Sequence, residues 1–348
     1  MYQFGDSISD TGNKIVEDPF TQCGRPPFGE SFSLGPSGRC SNGFLMIDYI
    51  ALGAGIPLLK PYLGVDKDFS NGVDFAVSGS ATLSAIMLSK RNIIQKSTNS
   101  SFGKQVDRLI THLTTICNSK IATREYLKDA LFIIGEMGGN DYNYAFLQGT
   151  NPDEIHEMVP EVVQSIIDLG GAKIIVQGSF PFGCYPVSVT TYQSSNTTTS
   201  DKYQCVELMN RFAVFHNEHL QNAITTLQDE YPHIVILYGD YYNAYQWLLE
   251  NAAYFGITST LRVCCGTGGI LNYNNERRCG DPGVLSCQDS DTHLSWDGIH
   301  MSQKANHLIT QWIVADLFPK LKCDHLQISN YQYKHNYGPC TDEDVDFL

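Results

Sequence analysis

Two short stretches near opposite ends of a 348-residue chain carry the residue types that acyl transfer needs. Close to the start, Gly5-Asp6-Ser7 offers a serine hydroxyl just after the apolar-flanked segment Tyr2–Phe4. Far downstream, Trp296-Asp297-Gly298-Ile299-His300 sets a carboxylate three residues ahead of an imidazole. From one loop, that carboxylate can hold the imidazole in the tautomer that accepts a serine proton. A serine esterase also needs donors for the oxyanion. Asn140, in Gly135-Glu136-Met137-Gly138-Gly139-Asn140-Asp141, has a side-chain amide to donate. Gly79, within the small-residue run Phe75-Ala76-Val77-Ser78-Gly79-Ser80-Ala81-Thr82, offers a bare backbone N–H. Taken singly, each stretch has a plain structural alternative. Ser7 reads equally as a helix cap or turn residue, Asp297 as a turn carboxylate and His300 as a satisfied core histidine. Residues 135–141 read as a tight turn, and Gly79 as a point of close helix–strand packing. The G-x-S-x-G elbow is absent, since Gly5-Asp6-Ser7-Ile8-Ser9 lacks the second glycine.

Buried-strand patterns must position these groups. They fall at 130–134 (ALFII), 173–176 (KIIV) and 234–238 (IVILY), with Tyr2–Phe4 as a short fourth. Helical periodicity covers 104–116, 153–169, 206–227, 242–253 and 303–318. The alternation predicts a three-layer α/β/α sandwich around a central parallel sheet. Sites in such sheets form at the C-terminal strand ends, where Ser7 and Asn140 would both lie. No repeat or linker interrupts the chain, so residues 1–348 read as one domain, with 324–348 as a C-terminal tail. Loops 14–38, 85–96 and 190–205 are expected to shape the pocket.

A formal net charge of −14 argues against a nucleic-acid partner. No apolar run reaches the roughly 18 residues of a membrane helix. The 11 cysteines contain no C-x-x-C pair and read as disulfides of an oxidising compartment, with at least one thiol left over. Sequons at Asn99 and Asn196 agree with secretion. Met1 sits directly on the first apolar residues, so a removed leader is expected. His216 and His219 form H-x-x-H without further ligands and read as structural histidines. His293 reads as a loop residue. Cys264 and Cys265 read as ends of two separate disulfides. Tyr142, Tyr144, Tyr241 and Tyr242 read as core and pocket wall, and Gly266–Gly269 lacks the lysine and spacing of a phosphate loop.

In combination these motifs resemble the GDSL esterase/lipase family of the SGNH hydrolases. Further stretches carry the likeness: PPFGESF, GRCSNGF, IPLLKPYL, IGEMGGNDYNYAF, FPFGCYP, YGDYYNAY, CCGTGG and WDGIHMS. The resemblance covers essentially the whole chain. It is greatest for the plant branch, in the group of sinapine esterase-like and acetylajmalan esterase-like enzymes. It implies a flavodoxin-like α/β/α fold with Ser7 as nucleophile, His300 as base and Asp297 as the carboxylate that orients it. Ser7 N–H, Gly79 and Asn140 are the implied oxyanion donors, with no metal and no organic cofactor. The implied partner is a small-molecule ester; oligomeric state is open, with a monomer as the default. Two alternatives use the same fold: an acyltransferase with the same acyl-enzyme, and a catalytically silent binding or defence protein. Ile8 replaces the family's leucine as a similar anchor. Ser78 and Ser80 stand where alanine or glycine is frequent and are expected to alter the pocket floor. With only Tyr2, Gln3 and Phe4 between Met1 and Gly5, the first strand is expected to fray.

Overall fold

The computed structural model describes residues 1–95, 97–167, 173–192 and 199–321. The tail 324–348, Cys323, Cys340 and Asn196 lie outside the described residues.

Six strands form one sheet: β1 (Tyr2–Phe4), β2 (Lys60–Pro61), β3 (Val73–Asp74), β4 (Leu131–Ile134), β5 (Lys173–Gln177) and β6 (Val235–Gly239). Their spatial order is β2-β3-β1-β4-β5-β6, and every pairing is parallel. Helices cover both faces. Met46–Gly53, Tyr241–Asn251 and Gln303–Lys320 pack together as one group, and Phe102–Ile116, Val159–Ile167 and Glu207–Glu230 as another. Strands buried on both faces need apolar residues throughout, which is why β4 and β5 read as continuous apolar runs.

β1 is not frayed. Tyr2 pairs with Val73 on one side and Phe132 on the other, and all three β1 residues are buried. Ring packing fixes it further: Phe4 lies 5.3 Å from Phe75 and Tyr2 5.2 Å from Phe132, centroid to centroid. Such pairs add roughly 0.5–1.5 kcal/mol beyond their burial.

Two elements differ from the sequence expectation. The helix expected over 153–169 is two helices, Pro152–His156 and Val159–Ile167. Ile155, Met158 and Val162 are buried on both sides of the break, so the periodicity runs through it. β2 and β3 carry no apolar run to announce them.

Leaving β2 aside, the order is that of a flavodoxin-like sheet. The chain leaves β1 towards β3 and later returns to lay β4 on the other side of β1. Connections therefore diverge between β1 and β4, which opens a crevice at their C-terminal ends.

Among the described residues, four disulfides staple the loops: Cys23–Cys40, Cys184–Cys205, Cys264–Cys287 and Cys265–Cys279. Each closes a loop of 14 to 23 residues, worth roughly 3 kcal/mol in a chain-entropy account. Cys264 and Cys265 do end two different bridges, and among the described residues Cys117 is joined to no other cysteine. Three of the bridges surround Trp296 and Phe28 in a second small core. No helix among the described residues is long and apolar enough to cross a membrane.

Candidate active site

Ser7 stands in a turn, not at a helix N-terminus. Asp6 O accepts from Ser9 N and Asp10 N, and Asp6 Oδ1 accepts from Ile8 N at 2.9 Å. The following helix, Asn13–Glu17, is served instead by Asp10, whose carboxylate accepts from Gly12, Asn13 and Lys14 N–H. Ser7 is thus free of a capping role. Gln105 pins the turn, with its side chain bonded to both Gly5 N and Gly5 O. The GRCSNGF stretch braces it from outside. Arg39 forms a buried bidentate pair with Asp48 and donates to Thr11 O at 3.0 Å.

The Asp/His loop is held by the disulfide core. Cys264 N donates to Ser295 O and Cys265 N to Trp296 O, while Trp296 N donates to His300 O at 2.7 Å. Trp296 is fully buried. Within the loop, Asp297 Oδ1 accepts from Ile299 N and His300 N, and Oδ2 lies 2.7 Å from His300 Nδ1. His300 Nε2 is 2.8 Å from Ser7 Oγ. Burial pushes the Asp297 carboxyl up, but the adjacent His300 and these hydrogen bonds outweigh it and hold it below the ordinary range. Three side chains from the two ends of the sequence thus form one hydrogen-bonded line.

The two oxyanion candidates come from beyond the ends of β3 and β4, the strands on either side of β1. Gly79, after β3, adopts φ +81°, a region costly for any residue with a Cβ. An added Cβ would also clash with Ser97 Oγ. Gly79 O accepts from Tyr144 Oη and Gln95 Nε2. Among the described residues, no group takes Gly79 N–H or Ser7 N–H. Asn140, after β4, lies in the first turn of helix Gly139–Leu147. Its Nδ2 donates to Asp6 Oδ2 at 2.8 Å and to Ser80 O at 2.9 Å. The next residue, Asp141, accepts from Thr82 N and Leu83 N. Asn140 and Asp141 together therefore lock the Gly79 segment to β4. Ser80 is buried, and its Oγ bonds to Ser100 O and Gln105.

Sequence reasoning missed the roles of Asp6, Asp10, Gln105 and Asp141. A carboxylate such as Asp6, set two residues past a buried strand, was the available signal.

The remaining candidates have structural bonds. His216 Nδ1 lies 2.7 Å from Tyr142 Oη, and burial pushes this histidine down to about 3, leaving it neutral. His219 Nδ1 lies 3.0 Å from Phe215 O. His293 sits in its loop beside Thr292 and Asp289. Tyr142 and Tyr241 are buried, while Tyr144 reaches Gly79. Cys264, Cys287 and His293 come together, as do Cys184, Asp201 and Cys205, but in each set both sulfurs are joined in a disulfide. A cavity of about 530 Å³ lined by Tyr62, Phe69, His112 and Tyr126 contains none of the triad or oxyanion candidates.

A parallel α/β sheet with a Ser–His–Asp line at its topological switch point defines the class of serine hydrolases. The family model for GDSL-like lipases and acylhydrolases matches residues 1–313. Acetylajmalan esterase 2 of Rauvolfia serpentina is 39% identical over 334 residues, covering 93% of this chain and 91% of that protein. A GDSL esterase/lipase of Arabidopsis thaliana is 40% identical over 327 residues, covering 90% and 84%. The chain belongs to the GDSL-like lipase/acylhydrolase family and is a serine ester hydrolase.

Proposed function

We propose that the chain hydrolyses a small-molecule carboxylic ester by way of an acyl group carried on Ser7. The observation that carries this reading is the unbroken line Asp297 Oδ2–His300 Nδ1, 2.7 Å, and His300 Nε2–Ser7 Oγ, 2.8 Å. Ser7 Oγ attacks the ester carbonyl as its proton passes to His300 Nε2, and Asp297 stabilises the imidazolium. Ser7 N–H, Gly79 N–H and the Asn140 amide receive the oxyanion. His300 then protonates the departing alcohol. Water, deprotonated by His300, attacks the acyl group and releases the acid and free Ser7.

For substrate, the reading favours an acetyl or aromatic ester of a plant specialised metabolite such as an alkaloid. The identity to acetylajmalan esterases supports the acetyl choice. Passage through the secretory pathway is part of the proposal, supported by four disulfides and an exposed Asn99 sequon.

The test is a panel of acetyl, longer acyl and aromatic esters, each with and without an alcohol or amine acceptor. Acid release from acetyl esters should exceed that from long-chain esters by about tenfold or more, since differences of a few kcal/mol in a pocket give such ratios. Acyl transfer to the acceptor in place of acid release would instead favour the acyltransferase. Preference for long acyl chains would defeat the substrate reading.

A further inference from the structure

One buried polar side chain joins the nucleophile turn to the segment that carries Gly79. Gln105 is 0% exposed and lies in the first turns of helix Phe102–Ile116. Its Oε1 accepts from Gly5 N at 3.0 Å. Its Nε2 donates to Gly5 O at 2.8 Å and to Ser80 Oγ at 3.1 Å. A glutamine amide has an acceptor oxygen and two donor protons, and all three are engaged here. The N–H and C=O of Gly5 also fix which way round the amide sits, because the reverse placement sets donor against donor.

The need for this side chain arises where the sheet stops. Phe4, the last residue of β1, has its carbonyl bonded to Gly135 N at 2.8 Å. Gly5 is the next residue, and its carbonyl accepts from Val77 N at 3.2 Å as well as from Gln105. The acceptor for Gly5 N–H is the Gln105 side chain. Gln105 thus extends the ladder by one residue, and a buried backbone N–H without an acceptor is costly. At its other end the amide meets Ser80, the residue after Gly79. Ser80 Oγ donates to Ser100 O, and Ser80 O accepts from Asn140 Nδ2 at 2.9 Å. One amide therefore bridges Gly5, two residues before Ser7, and Ser80, which is joined to both Gly79 and Asn140.

We propose that Gln105 is a positioning residue for acyl transfer, holding the Ser7 turn in register with the Gly79–Ser80 segment. The proposal rests on the reading of Ser7 as nucleophile and of Gly79 and Asn140 as oxyanion donors. Nucleophile and oxyanion donors must meet one carbonyl group from two strand ends, and a misplacement of about 1 Å costs roughly 100-fold. The triad line reaches Ser7 from the opposite end of the chain, through His300. Loss of Gln105 therefore leaves Ser7 activated but poorly placed. The side chain has no accessible surface, so substrate does not touch it. Its effect falls on kcat and not on KM.

The experiment compares wild type, Gln105→Met, Ser80→Ala and the double variant. Methionine matches glutamine in length and makes none of the three hydrogen bonds. Ser80→Ala cuts the bridge at its far end and leaves the bonds to Gly5. Competent sites are first counted by exhaustive labelling with a fluorophosphonate. Then kcat and KM for 4-nitrophenyl acetate are expressed per labelled site, with thermal melting alongside. Counting sites removes molecules that fail to fold, so a merely structural role would leave kcat per site unchanged.

Gln105→Met should lower kcat per site about tenfold or more, with KM within about twofold. Ser80→Ala should lower it about threefold or more. The double variant should fall within about twofold of Gln105→Met, because both changes act through one bridge. A Gln105→Met variant with kcat per site within about twofold of wild type overturns the inference, as do two effects that multiply in the double variant. If Gln105→Met does not fold, Ser80→Ala decides alone, and an unchanged kcat per site overturns the inference. A wild-type protein without Ser7-dependent turnover defeats the site reading and this inference together. An active wild type matched by its Gln105 and Ser80 variants defeats this inference only.

Discussion

Ser7→Ala is expected to lower kcat by roughly 10,000-fold to 1,000,000-fold while the protein stays folded. Without Oγ no acyl-enzyme forms, and the residual rate comes from the oxyanion donors and substrate binding. Among the described residues the Ser7 side chain bonds to His300 alone, so its loss should change stability by only about 1 kcal/mol. Steady-state turnover of 4-nitrophenyl acetate, with a melting curve beside it, checks both halves. A variant within tenfold of wild type would mean that another group carries the acyl chain.

Asp297→Asn should lower kcat by about 10,000-fold with KM little changed. The substitution is nearly isosteric, so the effect lies in hydrogen-bond polarity. Asp297 Oδ1 accepts two backbone N–H groups, and Oδ2 faces His300 Nδ1. In asparagine the carbonyl must keep the backbone donors, which turns the NH₂ towards His300 Nδ1. The imidazole proton is then forced onto Nε2, where it points at Ser7 Oγ and cannot receive a proton from it. A loss confined to a few-fold would show that Asp297 only supports the loop.

The central strands were legible because a parallel sheet covered on both faces favours apolar residues on both sides of each strand, as in LFII of β4 and IIV of β5. β1 was legible for the same reason, although its expected fraying was not, because two strands and three aromatic rings hold it. β2, Lys60–Pro61, has no such signature, being a two-residue edge pairing. The break at residues 157–158 was hidden because both helices present the same apolar face to the core. Of the site, the spacing of Asp297 and His300 was readable, but nothing local to Ser7 says that it meets them across 293 residues. The sheet order, which opens a crevice between β1 and β4, and the disulfide core that holds the Asp297–His300 loop explain that meeting. Disulfide partners were not readable, because loop folding and not sequence spacing sets which sulfurs approach.

The most direct test of the account is covalent labelling of the intact protein with a fluorophosphonate, followed by peptide mass spectrometry. The account predicts one stoichiometric adduct on Ser7, absent from Ser7→Ala and strongly slowed in Asp297→Asn. An unlabelled wild-type protein, or an adduct on any other serine, would contradict it.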